Sequence, residues 1–268
     1  MRDIKTIQEL FAIEVDGGKI CTFCSAPIPP GGMCKCLKEA RDIEEEHIRL
    51  FLASEKEKHR QLQAENLRKN GISDPKYRSF IFDADDLKYP DITDKCKRYV
   101  DNWDKMRDNN FGLLFYGPVG TGKTFYAGCI ANALIEKLIP VVVTSFSAVI
   151  SSLQALSFGE DKNEVFKKKL QEPDLLIFDD CGIERGTEYV LEQMFLIVDA
   201  RYRSNKPLII TTNLAPNELT TKELEYARIY DRIIENCQPI QVLGESRRFD
   251  IAARKQEQFN KLLGFETK

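Results

Sequence analysis

Short apolar runs alternate with longer amphipathic segments from about residue 77 onward. Apolar runs that are separated by helix-length segments predict a parallel sheet covered by helices on both faces, that is, an α/β fold. The predicted strands are residues 111–116, 141–145, 175–178, 207–212 and 240–243. The predicted helices are residues 123–138, 148–156, 163–170, 188–202 and 248–263.

The segment before this pattern, residues 38–70, is almost free of glycine and proline and rich in charged residues. Its apolar residues, such as Ile43, Leu50 and Leu62, are isolated among charged ones, which predicts a solvent-exposed helix. The Asn-Gly pair that ends at Gly71 is expected to terminate this helix, because a residue able to adopt positive φ commonly follows a helix. We interpret the helix as a spacer between domains, with a docking helix for a partner as the alternative.

The chain has 268 residues, of which 43% are hydrophobic and 30% are charged. This composition is ordinary for a globular protein and allows one large domain, or a medium domain with a small appendage. No apolar run approaches the roughly 20 residues that cross a bilayer. Residues 1–10 lack the apolar core of a signal peptide, so we expect a cytoplasmic protein without membrane contact. The net charge of −3 neither requires nor excludes a nucleic-acid partner.

Residues 117–124 match the pattern G-x-x-x-x-G-K-[ST] between a predicted strand and a predicted helix. The glycines allow the backbone N–H groups to face phosphate oxygens, and the helix N-terminus adds a favourable dipole. Lys123 is expected to reach the β- and γ-phosphates of ATP, and Thr124 to ligate Mg²⁺. The expected nucleotide-binding residues are Gly117, Pro118, Val119, Gly120, Thr121, Gly122, Lys123, Thr124 and Phe125.

Polar residues follow the third and fourth predicted strands. Asp179 and Asp180 come directly after residues 175–178, at the edge where open α/β sheets bind ligands. Asp179 is expected to hold Mg²⁺, directly or through water, and Asp180 to orient or deprotonate the attacking water. Asn213 closes the fourth strand, where its amide is expected either to contact the γ-phosphate or attacking water, or to cap a helix.

Eight cysteines are present, and four of them are bunched near the N-terminus. Cys21, Cys24, Cys34 and Cys36 supply four thiolates, enough for a closed tetrahedral Zn²⁺ site of structural type. Unligated thiols and an iron–sulfur cluster are the alternatives. The scattered cysteines are expected to be small buried hydrophobic residues, namely Cys96, Cys129, Cys181 and Cys237.

Four stretches of the chain carry a family resemblance. Besides the phosphate loop they are Phe-Asp-Asp-Cys-Gly-Ile-Glu at 178–184, Arg-Tyr-Arg-Ser-Asn-Lys-Pro-Leu-Ile-Ile-Thr-Thr-Asn at 201–213, and Arg-Ile-Tyr-Asp-Arg at 228–232. In this order, over roughly residues 75–250, they resemble the DnaC/DnaI-type helicase loaders of the AAA+ superfamily. Phage and mobile-element loaders of this type also carry a C-x-x-C…C-x-C segment at the N-terminus.

The resemblance implies roles for several residues. Asn213 would be the sensor 1 residue, and Arg228 would be an arginine finger acting on ATP bound by the adjacent subunit. Arg248 or Arg247 would be sensor 2. Asp180 stands where AAA+ proteins usually have the glutamate of an Asp-Glu pair. This departure is familiar among these loaders, and it allows for slow hydrolysis. The roughly 20 residues after Arg248 are too few for the usual helical lid domain.

The resemblance also implies a domain order and a set of partners. Residues 1–38 would form a zinc-binding domain that grips the replicative hexameric DNA helicase, residues 39–74 a helical linker, and residues 75–268 the AAA+ ATPase domain. The ATPase domain would bind single-stranded DNA and assemble into an ATP-dependent homo-oligomer. ATP, hydrolysed to ADP and phosphate, would act as the switch that releases the helicase.

Two other functions remain open at this stage. A transposition-associated ATPase of the IstB type shares the same core but partners a transposase, and the cysteine segment favours the loader. A P-loop small-molecule kinase would need an acceptor-binding lid, and no such arginine-rich segment follows the third predicted strand. Basic runs at 167–169 and 95–98 are candidate DNA contacts, although such runs are commonly solvated helix faces.

Overall fold

The computed structural model describes residues 12–15, 17–29, 32–155, 164, 166–181, 188–217 and 224–264. These residues form two compact units, one up to Gln61 and a second from Leu62 onward. None of the described helices combines the length and the apolar character that a bilayer crossing requires.

The first unit contains a small antiparallel sheet followed by a long helix. Strand β1 (Ala12–Val15) pairs with β2 (Gly18–Cys21), which pairs in turn with β3 (Pro27–Ile28). Gly17, with φ of 80°, supplies the left-handed residue that the tight turn between β1 and β2 needs. The sequence pattern did not predict these strands, because two to four residues give too little alternation.

Helix α1 (Lys35–Gly71) begins in the first unit and ends in the second. Its isolated apolar residues are solvent-exposed as predicted, with Ile43 64% and Leu50 57% exposed. The predicted reason for its final glycine is wrong, because Gly71 does not adopt positive φ. A Cβ atom at Gly71 would lie 1.9 Å from the carbonyl oxygen of Val141, so close backbone approach requires the glycine.

A five-stranded parallel sheet forms the centre of the second unit. Its strands are β4 (Gly112–Tyr116), β5 (Val141–Thr144), β6 (Leu175–Phe178), β7 (Leu208–Thr212) and β8 (Cys237–Gln241). They lie in the order β5-β6-β7-β4-β8, and every pairing is parallel. The predicted sheet is therefore confirmed, although β8 begins three residues before the predicted strand.

Helices surround this sheet. They are α2 (Pro90–Asp101), α3 (Trp103–Asp108), α4 (Lys123–Glu136), α5 (Phe146–Gln154), α6 (Glu188–Arg203), α7 (Leu224–Asn236) and α8 (Arg247–Leu263). The sequence pattern did not predict α2, α3 and α7. Where a helix was predicted at 163–170, the described residues contain a π-helical turn, Lys167–Gln171.

Alternate residues of β4 point into two hydrophobic cores. Leu113 and Phe115 pack in the core that includes α2 and α4, whereas Leu114 packs in the core with α5, α6 and α7. This follows from the two-residue period of a strand and places helices on both faces of the sheet. The four scattered cysteines are buried as predicted.

A fully buried arginine closes the amino ends of two strands. The guanidinium of Arg201 donates to the carbonyl oxygens of Leu170, Pro173, Asp174 and Pro207 at 2.6–3.2 Å. Burial lowers its pKa to about 9. Pro173 and Asp174 precede β6 and Pro207 precedes β7, so Arg201 ties these strands together at the edge opposite their carboxyl ends.

Candidate functional site

A cleft of about 570 Å³ lies at the carboxyl ends of the parallel strands. The loop after β4, the residues after β6, the end of β7 and the start of α8 all contribute to it. This is the edge where open α/β sheets bind ligands, because loops and helix N-termini converge there. Most of the residues singled out from the sequence meet in this cleft.

The phosphate loop connects β4 to α4. Gly117, Gly120 and Gly122 adopt φ values of 140°, 84° and 110°, which side chains with a Cβ rarely tolerate. The Nζ atom of Lys123 donates to the carbonyl oxygens of Gly117 and Pro118, both at 2.7 Å. The loop thus wraps around the ammonium group of Lys123. The N-terminus of α4 lies beside it, and a helix N-terminus favours a bound anion such as phosphate.

The other residues of the loop either line the cleft or hold the turn. Val119, Thr124 and Phe125 line the cleft. Thr121 is buried and donates from its hydroxyl to the carbonyl oxygen of Pro118 at 3.0 Å, which holds the turn.

Asp179 faces the phosphate loop across the cleft. Its Oδ1 atom accepts hydrogen bonds from the hydroxyls of Thr124 and Thr211, both at 2.7 Å, and its Oδ2 atom accepts one from Tyr77. Two ligand oxygens on an octahedral Mg²⁺ lie about 3 Å apart, since each sits 2.0–2.1 Å from the ion. The spacing of Thr124 and Asp179 therefore fits a shared Mg²⁺.

Asp180 is held beside Asp179 by the neighbouring strand. Its backbone N–H donates to the hydroxyl oxygen of Thr211 at 2.8 Å, and Thr211 donates onward to Asp179. Asp180 adopts φ of 53°, an uncommon value for a residue other than glycine that aspartate tolerates better than most. Asp180 is exposed and lines the cleft, so water molecules can reach it there.

The electrostatics of the cleft follow from partial burial. Burial lowers the pKa of Lys123, and the carboxylates of Asp180 and Asp179 partly oppose this shift. The nearby charge of Arg248 adds to the lowering. Burial and then the hydrogen bond to Asp179 raise the pKa of Tyr77, so its phenol stays protonated and acts as a donor.

Asn213, Arg247 and Arg248 also line the cleft. Asn213 is exposed. The hydroxyl of the preceding residue, Thr212, accepts a hydrogen bond from the backbone N–H of Leu214 at 3.2 Å. The backbone N–H of Arg247 donates to the carbonyl oxygen of Gly120 at 3.0 Å. The start of α8 is thereby attached to the phosphate loop.

The side chains of the two arginines differ. The guanidinium of Arg247 is 3.1 Å from a carboxylate oxygen of Asp86 and lies 5.5–5.9 Å from the ring centres of Tyr89, Phe125 and Tyr126. Arg248 is exposed. Arg248 is thus the more available of the two for a ligand in the cleft.

Arg228 is the predicted catalytic residue that the described structure does not bring to the cleft lining. It is exposed on α7. Arg232, one turn later, instead forms an ion pair with Asp199 at 2.7 Å and lies 4.5 Å from the ring centre of Phe195. Residues 182–184 of the acidic string lie outside the described residues.

The bunched cysteines form a separate candidate metal site in the first unit. The Sγ atoms of Cys21, Cys24, Cys34 and Cys36 all lie within 4.8 Å of one another. Zinc–sulfur bonds of 2.3 Å place tetrahedral sulfurs about 3.8 Å apart, so four thiolates in this arrangement fit Zn²⁺. Backbone N–H groups of Cys24 and Phe23 lower the pKa of Cys21 to about 6, whereas the Cys34 thiol raises the pKa of Cys36.

Sequence reasoning missed the hydroxyl groups around Asp179. Tyr77 lies 102 residues before Asp179, and no motif spacing connects them. Thr211 belongs to the quoted string at 201–213, but its contact depends on β7 lying beside β6. That neighbour relation is a property of the sheet order, which the sequence pattern does not supply.

Comparisons with known proteins identify the family of the chain. A family model described as IstB-like ATP binding protein matches residues 47–255. The uncharacterised protein YdaV of Escherichia coli (strain K12) is 34% identical over 133 residues, which are 50% of this chain and 53% of YdaV. The replicative helicase loader DnaI of Bacillus subtilis (strain 168) is 30% identical over 172 residues, which are 59% of this chain and 52% of DnaI. The matches span about half the length of these relatives.

Solved structures show the same fold. The crystal structure of the DnaC helicase loader superposes with a TM-score of 0.55 and 22% identity, covering 63% of this chain and all of that chain. The family match covers more than half of the chain, and it includes the phosphate loop, both aspartates and the start of α8. The chain therefore belongs to the IstB-like family of ATP-binding proteins within the AAA+ superfamily.

Proposed function

We propose that this protein is an ATP-dependent loader that delivers the replicative DNA helicase onto single-stranded DNA. One observation carries the proposal: a cleft lined by the phosphate-loop residues and the acidic pair occurs in the same chain as a separate unit with four clustered cysteines. The similarity to the loader DnaI supports it. The first unit would contact the helicase, and the second would respond to ATP.

ATP hydrolysis is the proposed reaction of the cleft. Lys123 would exchange its carbonyl contacts for the β- and γ-phosphates, and Thr124 and Asp179 would hold Mg²⁺. The ion, when bound, would neutralise charge on the phosphate oxygens. Asp180 would orient the attacking water from its exposed position. Asn213 and Arg248 would contact the γ-phosphate and stabilise the charge that develops there.

An arginine from a neighbouring copy would complete the site. Arg228 is exposed, and it is not among the described residues that line the cleft of its own chain. This is expected of an arginine that acts on ATP bound by the adjacent subunit. Assembly of copies would therefore be coupled to ATP, and hydrolysis would loosen it. Single-stranded DNA would bind to this assembly.

The first unit would be stabilised by Zn²⁺ on its four cysteines. Such a site is structural because no ligand position remains open. Residues 1–38 are the proposed helicase-interaction domain, residues 39–74 the linker and residues 75–268 the ATPase domain. The unit that ends at Gln61 contains both the cysteines and the first part of α1.

Co-purification with the replicative helicase tests the loader. The tagged protein should retain the host's hexameric helicase in the presence of a non-hydrolysable ATP analogue, and lose it when hydrolysis is allowed to proceed. A Cys34→Ser variant should lose the helicase while retaining ATP binding. Failure of the intact, zinc-loaded protein to bind the helicase in any nucleotide state would contradict the proposal.

A transposition-associated ATPase is the second candidate, and the family match to IstB-like proteins favours it. Such a protein would bind DNA and a transposase instead of the helicase. Retention of a transposase encoded beside this gene, without retention of the helicase, would decide for this candidate. A small-molecule kinase would reveal itself by phosphorylating an acceptor, whereas both ATPases release free phosphate.

A further inference from the structure

Tyr77, which belongs to none of the sequence motifs, donates a hydrogen bond to Asp179, the carboxylate proposed to hold Mg²⁺. Its side chain is 5% exposed, and its phenol donates to Oδ2 of Asp179. The other oxygen, Oδ1, is shared by the hydroxyls of Thr124 and Thr211. Among the described residues, the side-chain partners of Asp179 are therefore hydroxyl groups on both of its oxygens.

The backbone around Tyr77 is fixed. Residues Pro75–Ser79 form a 3₁₀ turn, and the carboxylate of Asp74 accepts from the N–H of Lys76 at 2.9 Å to cap it. The side-chain amide of Asn132 on α4 donates to the carbonyl oxygen of Tyr77 at 2.7 Å and to that of Phe80 at 3.0 Å. The turn is thus attached to the helix that follows the phosphate loop.

Both the nitrogen and the oxygen of the Asn132 side-chain amide are hydrogen-bonded. It is 3% exposed, and its oxygen accepts from Nε of Arg68, on the last turn of α1, at 3.2 Å. Phe80 packs against Gly128, where a Cβ atom would lie 2.6 Å from the ring. The Tyr77 ring meets Phe80 edge to face at 5.3 Å. Packing and hydrogen bonds therefore leave the phenol little freedom to turn away from Asp179.

We infer that Tyr77 is a positioning residue that fixes the orientation of the Asp179 carboxylate for Mg²⁺. A carboxylate that is held only at Oδ1 can rotate about its Cβ–Cγ bond, whereas a donor on each oxygen fixes its plane. The fixed plane keeps Oδ1 beside the Thr124 hydroxyl, with which it would share the ion. The inference rests on the proposed magnesium site, and it adds a residue that no phosphate-loop motif contains.

The test is a magnesium titration of nucleotide binding, read from the fluorescence of a non-hydrolysable ATP analogue. Tyr77→Phe retains the ring and removes the hydroxyl. We expect it to raise the Mg²⁺ concentration for half-maximal nucleotide binding about tenfold, which corresponds to about 1.4 kcal/mol. Nucleotide affinity at saturating Mg²⁺ should stay within about twofold of the wild type, because Lys123 and the loop are unchanged.

Tyr99→Phe is the matched control. Tyr99 is also a buried tyrosine, 4% exposed, and its phenol donates to the carbonyl oxygen of Phe111 at 2.8 Å. It does not line the cleft, so its variant should keep the wild-type Mg²⁺ midpoint. Thermal melting without nucleotide and metal reports any general loss of stability in either variant.

Each other outcome has a distinct meaning. An unchanged midpoint in Tyr77→Phe, with normal magnesium dependence in the wild type, would overturn the positioning role alone. A lowered midpoint would overturn it too, because Tyr77 would then compete with the ion. Magnesium-independent nucleotide binding in the wild type would instead overturn the proposed site itself.

Discussion

The two units of this chain differ in the residues that they bury. In the second unit β6 is entirely buried, and Leu175, Leu176, Ile177 and Phe178 are each 0% exposed. Among the described residues of the first unit, the buried ones are Cys21 and Cys34. The second unit thus has a hydrophobic interior of its own, whereas the first buries thiols and few other groups.

This difference indicates where each unit obtains its folding energy. Burial of apolar surface contributes roughly 25 cal/mol per Å², which suffices for a large core but not for a short three-stranded sheet. A structural zinc ion can supply the missing stability. The cleft, by contrast, sits on a scaffold with a large hydrophobic interior of its own. The following predictions test this contrast, in order of decreasing expected effect.

Metal removal should have the largest effect and should be confined to the first unit. Structural zinc sites bind with apparent free energies on the order of 10 kcal/mol, and in small metal-held units binding and folding are one process. A strong chelator should therefore unfold residues up to Gln61 and leave the sheet of the second unit intact. Hydrogen exchange before and after chelation, with metal analysis of the released ion, measures this.

Cysteine substitutions provide the matched control for that experiment. Cys34→Ser should lower the bound zinc from about one ion per chain to none, since a hydroxyl is a poor replacement for a thiolate. Cys96→Ala removes an equally buried thiol from the second unit. It should keep the zinc and lower the stability of the second unit by about 1–2 kcal/mol. Full zinc content in Cys34→Ser would contradict the site.

Lys123→Ala should abolish nucleotide binding and turnover without unfolding either unit. The Nζ atom contacts two loop carbonyls, so its removal leaves the loop without the ammonium that would meet the phosphates. We expect turnover to fall by at least about a hundredfold, as on removal of a key electrostatic donor. ATP should raise the melting temperature of the wild type and not that of the variant. Wild-type turnover in Lys123→Ala would refute the site.

Arg228→Ala should lower turnover by about tenfold to a hundredfold in the assembled state and spare ATP binding. Mixing this variant with Lys123→Ala tests the action between subunits. Each Lys123→Ala copy retains Arg228, and each Arg228→Ala copy retains an intact nucleotide site. A mixed assembly would therefore contain some sites with both groups, so part of the activity should return.

Arg203→Ala is the control for the finger prediction, because Arg203 is also exposed, with 75% of its side chain accessible on α6. It should leave turnover near that of the wild type. Mixtures that stay as inactive as the separate variants would contradict a finger supplied by a neighbour.

The smallest expected effect is at the exposed helix. Leu50 on α1 is 57% exposed, whereas Leu134 on α4 is 0% exposed. Leu50→Ala should change the free energy of unfolding by less than about 0.5 kcal/mol, while Leu134→Ala should lower it by about 2–5 kcal/mol. Denaturant unfolding of both variants measures the difference. A large loss at Leu50 would show that α1 is packed in solution and is more than a spacer.

Much of the fold could be predicted because the buried strands are locally unambiguous. The run at β6 is apolar throughout, and its predicted bounds agree with the structure. Strand β8 was displaced in the prediction, since its sequence Cys-Gln-Pro-Ile-Gln contains a proline. It lies at the edge of the sheet, where β4 is its one partner among the described strands. Helix α7 buries Ile229, Tyr230 and Ile233, a helical spacing that its charged residues obscure.

The site was predictable to the extent that its residues are contiguous in sequence. The phosphate loop and the acidic pair are local patterns, and the structure brings them together. Tyr77 and Thr211 reach Asp179 only through the sheet order and the turn held by Asn132. Pattern reasoning finds groups that share a motif, whereas it cannot find groups that share only a neighbour in space.

A structure of the protein with Mg²⁺ and a non-hydrolysable ATP analogue tests the central claim most directly. We predict that Lys123 leaves the carbonyl oxygens of Gly117 and Pro118 for the β- and γ-phosphates, and that the ion lies between Thr124 and Asp179. A nucleotide bound outside this cleft, or bound within it while Lys123 keeps its carbonyl contacts, would contradict the account.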